Sequence, residues 1–340
     1  MIAPIAAPIT VAGAGRMGRG IAHVFAYAGY RVALVDIKGR TAADQTALLA
    51  EAETEVARTI GLMESFGQLD AALRDKVLAR VSYHPLAEAE AVFAGAELAF
   101  EAVPEVLETK QRAFALICRH LPDDAIVSST TSTMLVDTLA EFVTGPERFL
   151  NAHWLNPAFL VPLVEVSPGA ATTPAVVERL TELLQAAGKE PVVCAASPGF
   201  IVPRIQTVAM NEAVRMAEEG VASPEDIDHA IRVGFGVRYA VLGLLEFLDW
   251  GGVDILDYAG NYMSEALGAE RFKPPPVIGK MIAEGRSGMR EGQGFYDFRD
   301  RDVEAYQRET IAKFVDLVGH LGLLPPPSNA EREQQKGQKS

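Results

Sequence analysis

Short apolar runs alternate with amphipathic stretches through the first half of the chain. Ile9-Thr10-Val11-Ala12 is a four-residue run ending at Gly13, the pattern of a buried parallel strand. Met17, Ile21, Val24, Phe25 and Ala28 then recur at helical spacing, and Gly29 closes that helix. Arg31–Asp36 reads as a second strand, so the chain opens as a β–turn–helix–β unit. Two amphipathic helices follow, Arg40–Phe66 and Ala71–Arg80, joined at Gly67-Gln68. Further strand-like runs lie at Glu97–Val103, Ala125–Ser129 and Phe149–His153, with a helix Val106–His120 between the first two. This alternation predicts a doubly wound parallel sheet covered on both faces.

The pattern changes after Pro168. A helix Pro174–Ala187 and a strand Pro191–Ala195 close the first half. Residues 199–267 read as helices separated by turns, one of them Ser223-Pro224-Glu225-Asp226, an N-cap followed by proline and acids. The boundary falls near Ser197-Pro198-Gly199. It separates an α/β domain over 1–197, with a helical hairpin at about 40–80, from an all-α domain over 198–324. Residues 325–340 contain no large apolar side chain, the composition of a disordered tail.

Composition narrows the class. A length of 340 residues suits two domains, and 49% hydrophobic with 22% charged residues excludes wholesale disorder. Lys plus Arg total 31 against 45 Asp plus Glu, a net charge of −14. Such a chain is a poor general partner for nucleic acid or anionic membrane, although a local basic pocket stays open. Cys118 and Cys194 are the only cysteines, too few for a disulfide scaffold and without metal-site spacing. There is no bilayer-spanning apolar run and no basic segment ahead of the first apolar stretch. The expectation is a soluble cytoplasmic protein with no metal.

Gly13-Ala14-Gly15-Arg16-Met17-Gly18 matches G-x-G-x-x-G. The pattern alone is weak, but here it follows a strand, opens a helix and precedes a second strand ending in Asp36. Gly13 permits the tight turn, Gly15 lets the backbone approach a pyrophosphate, and Gly18 lets helix and strand pack. Free amides at the helix N-terminus would face the phosphates. Asp36 would accept from both ribose hydroxyls and repel a 2′-phosphate, favouring NAD; Lys38 and Arg40 weaken that preference slightly. A glycine-rich turn with no ligand is the competing reading.

A second constellation is His153-Trp154-Leu155-Asn156-Pro157 followed by Pro162-Leu163-Val164-Glu165-Val166. A glutamate buried in an apolar strand is costly unless paired, and His153 is an available partner. A carboxylate on one imidazole nitrogen fixes the tautomer and supports the charge when the other nitrogen takes a proton. That is the base a dehydrogenase needs for the hydroxyl proton. The alternative is a core histidine with Glu165 elsewhere. Ser128–Thr133 follows a strand end, where ligands bind in open α/β sheets, although an ordinary hydroxyl-rich turn has the same composition. His23, His84, His120, His229 and His320 read as structural or surface residues.

Together these residues resemble the short-chain L-3-hydroxyacyl-CoA dehydrogenase family from Ile9 to about Phe298. The ordered landmarks are the glycine motif, Glu101-Ala102-Val103-Pro104-Glu105, Ser129–Thr133, His153–Pro157, Leu163–Val166, Pro198–Val202 and Gly292-Gln293-Gly294-Phe295-Tyr296. The resemblance implies a Rossmann-type domain with a helical-hairpin insertion and an α-helical C-terminal domain that makes a homodimer. It implies His153 as catalytic base, Glu165 as its orienting carboxylate and Ser132 on the substrate oxygen. Gly13 to Gly18, Asp36, Ala102, Val103, Glu105, Lys110 and Asn156 would line the NAD site, within fatty acid metabolism.

Three departures bear on substrate. Pro203 stands where the family carries an asparagine, leaving Thr207, one turn later, as the nearest polar candidate. Gly236–Gly243 replaces a Gly/Pro-rich turn, and its Arg238-Tyr239 resembles the gulonate and carnitine dehydrogenases and related lens crystallins. Arg238 could clamp a free carboxylate or simply pair with Glu246 or another acid on the helical surface. The hairpin tip, Met63–Asp70, carries acids and no Lys or Arg where a CoA phosphate would want cations. The leading expectation is NAD-dependent oxidation of the 3-hydroxyl of an (S)-3-hydroxyacyl-CoA. The alternatives are a dehydrogenase of a small free or cyclic 3-hydroxy acid, with Arg238 on the carboxylate, and a non-catalytic crystallin-like protein.

Overall fold

The structure, a computed structural model, describes residues 7–324. The tail expected at 325–340 lies outside the described residues. The chain divides into two compact units between Asn211 and Glu212. The division lies beyond the Ser197–Gly199 boundary read from sequence and inside a helix. The start of that helix, still within the first unit, is held by the Glu165 carboxylate.

The first unit is built on an eight-stranded sheet in the order β3-β2-β1-β4-β5-β6-β7-β8. The strands are β1 (Ile9–Ala12), β2 (Val32–Val35), β3 (Val81–His84), β4 (Leu98–Glu101), β5 (Ile126–Ser129), β6 (Phe149–Trp154), β7 (Leu163–Pro168) and β8 (Glu190–Val193). Strand order reverses between β1 and β4, the switch point beside which ligands bind in doubly wound sheets. The sequence pattern predicts a parallel sheet, but the sheet is mixed: β6 and β7 run antiparallel, with His153 opposite Glu165 and Asn151 opposite Ser167. The connection over residues 155–162 is too short for a crossover helix, so the chain can only turn back on itself. Strand β3 is not predicted by the sequence pattern. Only Val81 of its four residues is buried, so it carries no apolar run.

Seven helices accompany these strands: α1 (Arg16–Tyr27), α2 (Ala42–Ser65), α3 (Ala71–Leu78), α4 (Ala89–Ala94), α5 (Leu107–His120), α6 (Val136–Ala140) and α7 (Pro174–Ala186). The α2–α3 hairpin is capped at each start, Thr41 accepting from the Asp44 amide and Asp70 from the Ala72 amide. Side-chain alternation along the strands divides the interior into two cores. Ile9, Val11, Phe25, Phe100 and Trp154 fill one; Ala12, Val35, Phe93, Phe114 and Phe149 fill the other. Burial on both faces is what near-continuous apolar strands require.

Helix α8 (Val202–Glu218) runs across the division. The second unit continues with α9 (Pro224–Ala230), a π-helical stretch Ile231–Gly236, α10 (Val237–Tyr239), α11 (Leu244–Gly251), α12 (Val253–Ala266), α13 (Pro276–Ala283) and α14 (Val303–His320). Ser223 caps α9 by accepting from Asp226, with Pro224 at the first helical position, as the sequence pattern predicts. The cores here are small, one around Leu242, Met289, Phe298 and Tyr306, the other around Val253, Ile278 and Met281. Tyr258 and Tyr262 of α12 are largely exposed. No helix among the described residues is long and apolar enough to cross a membrane.

Candidate active site

The glycine motif joins β1 to α1, and its glycines have different physical reasons. Gly13 has φ +123, and a Cβ there would sit 2.6 Å from the Ala102 carbonyl oxygen. A Cβ on Gly18 would come within 1.9 Å of the Gly13 carbonyl oxygen. Gly15, by contrast, borders open space, with nothing within 4 Å of a Cβ. Gly15 is also the N-cap of α1 and offers no side-chain cap, and the first turn holds no acid. The first-turn amides therefore face an open, uncapped space, a site for an anion. Gly18→Ala forces a methyl group against the Gly13 backbone carbonyl. It is expected to cost about 1–3 kcal/mol of stability and at least about tenfold in NADH affinity, read by thermal melting and fluorescence titration.

Arg16 and Gly15 are exposed, Met17 is half-buried and Ala14 is buried. Arg19, which no motif in the sequence marks, is also buried. It donates through Nε to the Ala14 carbonyl (2.9 Å) and through Nη1 to Glu51 (2.9 Å) and Glu55 of α2. It thus ties the glycine loop to the hairpin. Asp36, buried just past β2, accepts from Arg40 Nε at 2.9 Å, from the Lys38 amide and from Gln45. Arg40, expected only as a nearby cation, is this carboxylate's ion-pair partner.

Beyond β4 a buried polar cluster organises the loop containing Ser132. Glu101, fully buried, accepts from Lys110 Nζ at 3.0 and 2.9 Å, from Ser129 Oγ at 2.6 Å and from the Val103 amide. Lys110 is itself fully enclosed and also pairs with Glu105 at 3.3 Å. Its ammonium therefore meets protein carboxylates and reaches the surface only through Glu105. Glu105 Oε1 accepts from the hydroxyls of Thr131 and Thr133 and from the amides of Ser132 and Thr133, both at 3.1 Å. Burial opposes ionisation of Glu105, but these hydrogen bonds and Lys110 outweigh it and hold its pKa below the usual value. Ser132 is left exposed on a loop fixed from beneath. Ala102 is buried and Val103 half-buried beside Gly13.

His153 and Glu165 meet across the antiparallel β6–β7 pair. His153 Nδ1 lies 2.7 Å from Glu165 Oε2, and both side chains are buried. The other carboxylate oxygen accepts from the amides of Ile201 and Val202, each at 2.8 Å, at the start of α8. Desolvation works to raise the Glu165 pKa; the His153 hydrogen bond and the two amides outweigh it and hold the carboxyl below its ordinary value. The imidazole stacks on Phe200 with centroids 5.4 Å apart. Phe200 itself has φ +45, directly after Gly199 at φ +73. Such a left-handed non-glycine residue is strained, and here it brings the ring beside His153 and the next two amides onto Glu165. His153 Nε2 has no hydrogen-bond partner among the described residues, so a proton-accepting lone pair stays free.

Three further candidates remain, Asn156, Thr207 and Arg238. Asn156 is exposed on the β6–β7 connection, where residues 156–159 line a cavity of about 40 Å³ with Arg16, Arg19 and Gly20 of α1. Thr207 is exposed on α8, its hydroxyl donating to the Pro203 carbonyl at 2.8 Å. Arg238, also exposed, follows the π-helical stretch, a local form often found at functional sites. Its pairing with Glu246 does not occur, because Glu246 accepts from Tyr306 and the Gly243 amide. The guanidinium lies over the Phe247 ring, 5.6 Å from its centroid, with no acidic partner among the described residues. No cluster of metal-ligating side chains occurs among the described residues.

A doubly wound sheet with an uncapped glycine-motif helix and a ribose-type acid after β2 is the architecture of a nicotinamide-dinucleotide oxidoreductase. The chain matches the model of the 3-hydroxyacyl-CoA dehydrogenase NAD binding domain over residues 8–197, and that of the 3-hydroxyacyl-CoA dehydrogenase C-terminal domain over residues 199–298. It belongs to the 3-hydroxyacyl-CoA dehydrogenase family, whose cofactor is NAD. It is 36% identical over 292 residues to 3-hydroxyadipyl-CoA dehydrogenase of Escherichia coli, covering 86% of this chain and 59% of that protein. It is 30% identical over 309 residues to 5-formyl-3-hydroxy-2-methylpyridine 4-carboxylate 5-dehydrogenase of Mesorhizobium japonicum, covering 90% of this chain and 96% of the relative. The solved 3-hydroxyacyl-CoA dehydrogenase of Archaeoglobus fulgidus matches with a TM-score of 0.72 and 30% identity, covering 94% of this chain and all of that one.

Proposed function

We propose that the chain oxidises the 3-hydroxyl of an (S)-3-hydroxyacyl-CoA to the 3-oxo compound, with His153 as general base, Glu165 as its orienting carboxylate and Ser132 on the substrate oxygen. The observation that carries this reading is the buried His153–Glu165 contact at 2.7 Å, with Nε2 unpartnered. A carboxylate on Nδ1 holds that nitrogen protonated, presents Nε2 as the base and supports the imidazolium formed when the hydroxyl proton arrives. NAD supplies the acceptor for the hydride leaving C3. Gly13, Ala14, Gly15, Arg16, Met17, Gly18, Asp36, Ala102, Val103 and Asn156 would line its site. Glu105 and Lys110, assigned to that site from the family resemblance, would act there by fixing the Ser132 loop.

A second substrate class is favoured by one particular observation, the acid-free guanidinium of Arg238. A planar cation with no protein carboxylate is available to a carboxylate on a ligand, and the Mesorhizobium relative is named for a pyridine carboxylate. The hairpin points the same way. Of its basic residues, Arg74 is already paired with Glu64 at 3.6 Å. NAD reduction with 3-hydroxybutyryl-CoA against free 3-hydroxy acids, carnitine and gulonate among them, separates the two. Arg238→Ala is expected to leave thioester turnover within about twofold. If free acids are the substrate, their kcat/KM should fall about 10- to 100-fold, the cost of an unpaired charge. Equal behaviour towards both classes would remove Arg238 from the site.

The exposed apolar residues of α8 and α12, including Val208, Val214, Ile255 and Tyr258, support a homodimer formed through the C-terminal domain, which a sizing column tests. Two free cysteines, Cys118 and Cys194, fit a reducing compartment such as the cytoplasm.

A further inference from the structure

We propose that Lys189 is a positioning residue for the turn over residues 156–161, fixing it between the candidate catalytic strand and the cofactor helix and so setting affinity for the dinucleotide. The inference extends the site described above and rests on its reading as an NAD site.

Lys189 is buried where a lysine has no evident reason to be. It follows Gly188, at φ +77, and its amide closes the end of α7 on the Leu184 carbonyl, 2.9 Å away. The next residue, Glu190, pairs with Leu163 as β8 begins, and its amide donates to the Pro162 carbonyl at 2.9 Å. The backbone is thus pinned on both sides. From there the ammonium donates to the carbonyls of Ala158 and Val161, the latter at 2.9 Å, and lies 5.8 Å from the Trp154 ring centroid. It has no carboxylate partner among the described residues. A buried cation held only by carbonyl dipoles and a ring face is costly, and the two carbonyls it binds both belong to one turn.

That turn occupies a decisive place. It leaves β6 directly after His153 and Trp154. It also packs on α1, where a Cβ on Gly20 would lie 3.0 Å from the Ala158 Cβ, and it shares a cavity with Arg16 and Arg19. Phe159 stacks on His23 of α1 at 4.8 Å. Releasing Ala158 and Val161 would let Asn156 move relative to the open N-terminus of α1. Burial lowers the Lys189 pKa to about 8, from 10.5. Of the groups facing it, His23 has its own pKa pushed down to about 4 and is neutral over the working range. Residues 155–162 contain no ionisable side chain, and β7 and α7 contribute Val164, Val166 and Leu184 to this core. Above pH 8 the donors become those of a neutral amine and their hydrogen bonds weaken.

The test is NADH titration of the full chain by fluorescence from pH 6.5 to 9.5, with kcat and KM for NAD and substrate alongside. The wild type is expected to bind NADH a few-fold more weakly as pH crosses 8. Lys189→Met should raise the NADH Kd and the KM for NAD about tenfold at pH 7, flatten that pH profile and leave the substrate KM within about twofold. Lys189→Arg, which stays charged, should restore affinity and hold it to pH 9.5. A folded Lys189→Met with wild-type NADH affinity overturns the proposal. Should that variant fail to fold, a wild-type profile flat across pH 8 overturns it instead. Asn156→Ala separates the two levels. If it weakens NADH binding while Lys189→Met does not, the lysine proposal alone fails; if Asn156→Ala binds normally and Lys189→Met does not, the error is in the role given to Asn156.

Discussion

His153→Ala is expected to lower kcat by about 10³-fold or more, with NADH binding unchanged within about threefold. Among the described residues the side chain is the one group with a free proton-accepting nitrogen aligned by a buried carboxylate, so its removal takes away the acceptor for the hydroxyl proton. The glycine loop and Asp36 make no contact with it, so the dinucleotide should still bind. Glu165 keeps the Ile201 and Val202 amides, so the variant should fold, although the vacated space beside Phe200 will cost some stability. Single-turnover NADH formation with the best substrate, beside an NADH titration, makes the test. Unchanged turnover would show that His153 is not the base. Wild-type protein that binds NADH but turns over no substrate would revive the non-catalytic reading instead.

The parts of the fold that were legible in the sequence are those whose causes are local. The β1–α1–β2 unit is fixed by glycine spacing and helical periodicity within thirty residues, and the hairpin by its two caps and a turn. The pairing of His153 with Glu165 was inferable because a glutamate in an apolar strand has to find a partner. What the sequence concealed is long-range. Antiparallel pairing of β6 and β7 has no composition signal, since both strands are buried like the parallel strands β1, β2, β4 and β5. The Glu101–Lys110–Ser129 cluster joins residues from two strands and a helix, and Glu101 reads locally as one more strand-end acid. Amides of Ile201 and Val202 close on Glu165 through a left-handed Phe200, a conformation no pattern of side chains announces. Lys189 looks like an ordinary polar residue after a helix-ending glycine. Only the fold sets it beneath the turn at residues 156–161.

The second large effect is expected from Glu165→Gln, which changes one oxygen to an amide group and almost no volume. The glutamine carbonyl can go on accepting from Ile201 and Val202, so the start of α8 should hold. That orientation turns the NH₂ towards His153 Nδ1. Nδ1 must then act as acceptor, the proton moves to Nε2, and the nitrogen meant to receive the hydroxyl proton is blocked. A wrong tautomer with otherwise intact geometry is expected to lower kcat by about 10³- to 10⁴-fold, with the KM for NAD unchanged. Glu165→Ala should lose activity similarly, but it also strands two helix amides and should cost about 1–3 kcal/mol of stability. Stability against pH gives an independent reading. The Glu165 carboxyl is held below its ordinary 4.5 in the folded chain, so the folded state binds fewer protons than the unfolded state just below that pH. Its stabilising contribution is therefore complete above about 4.5 and fades as pH falls through the lowered folded value. The gap in melting temperature between wild type and Glu165→Gln should accordingly be constant near neutrality and narrow in acid. Wild-type turnover in Glu165→Gln, or a gap that widens in acid, would leave His153 without the orienting carboxylate assigned to it.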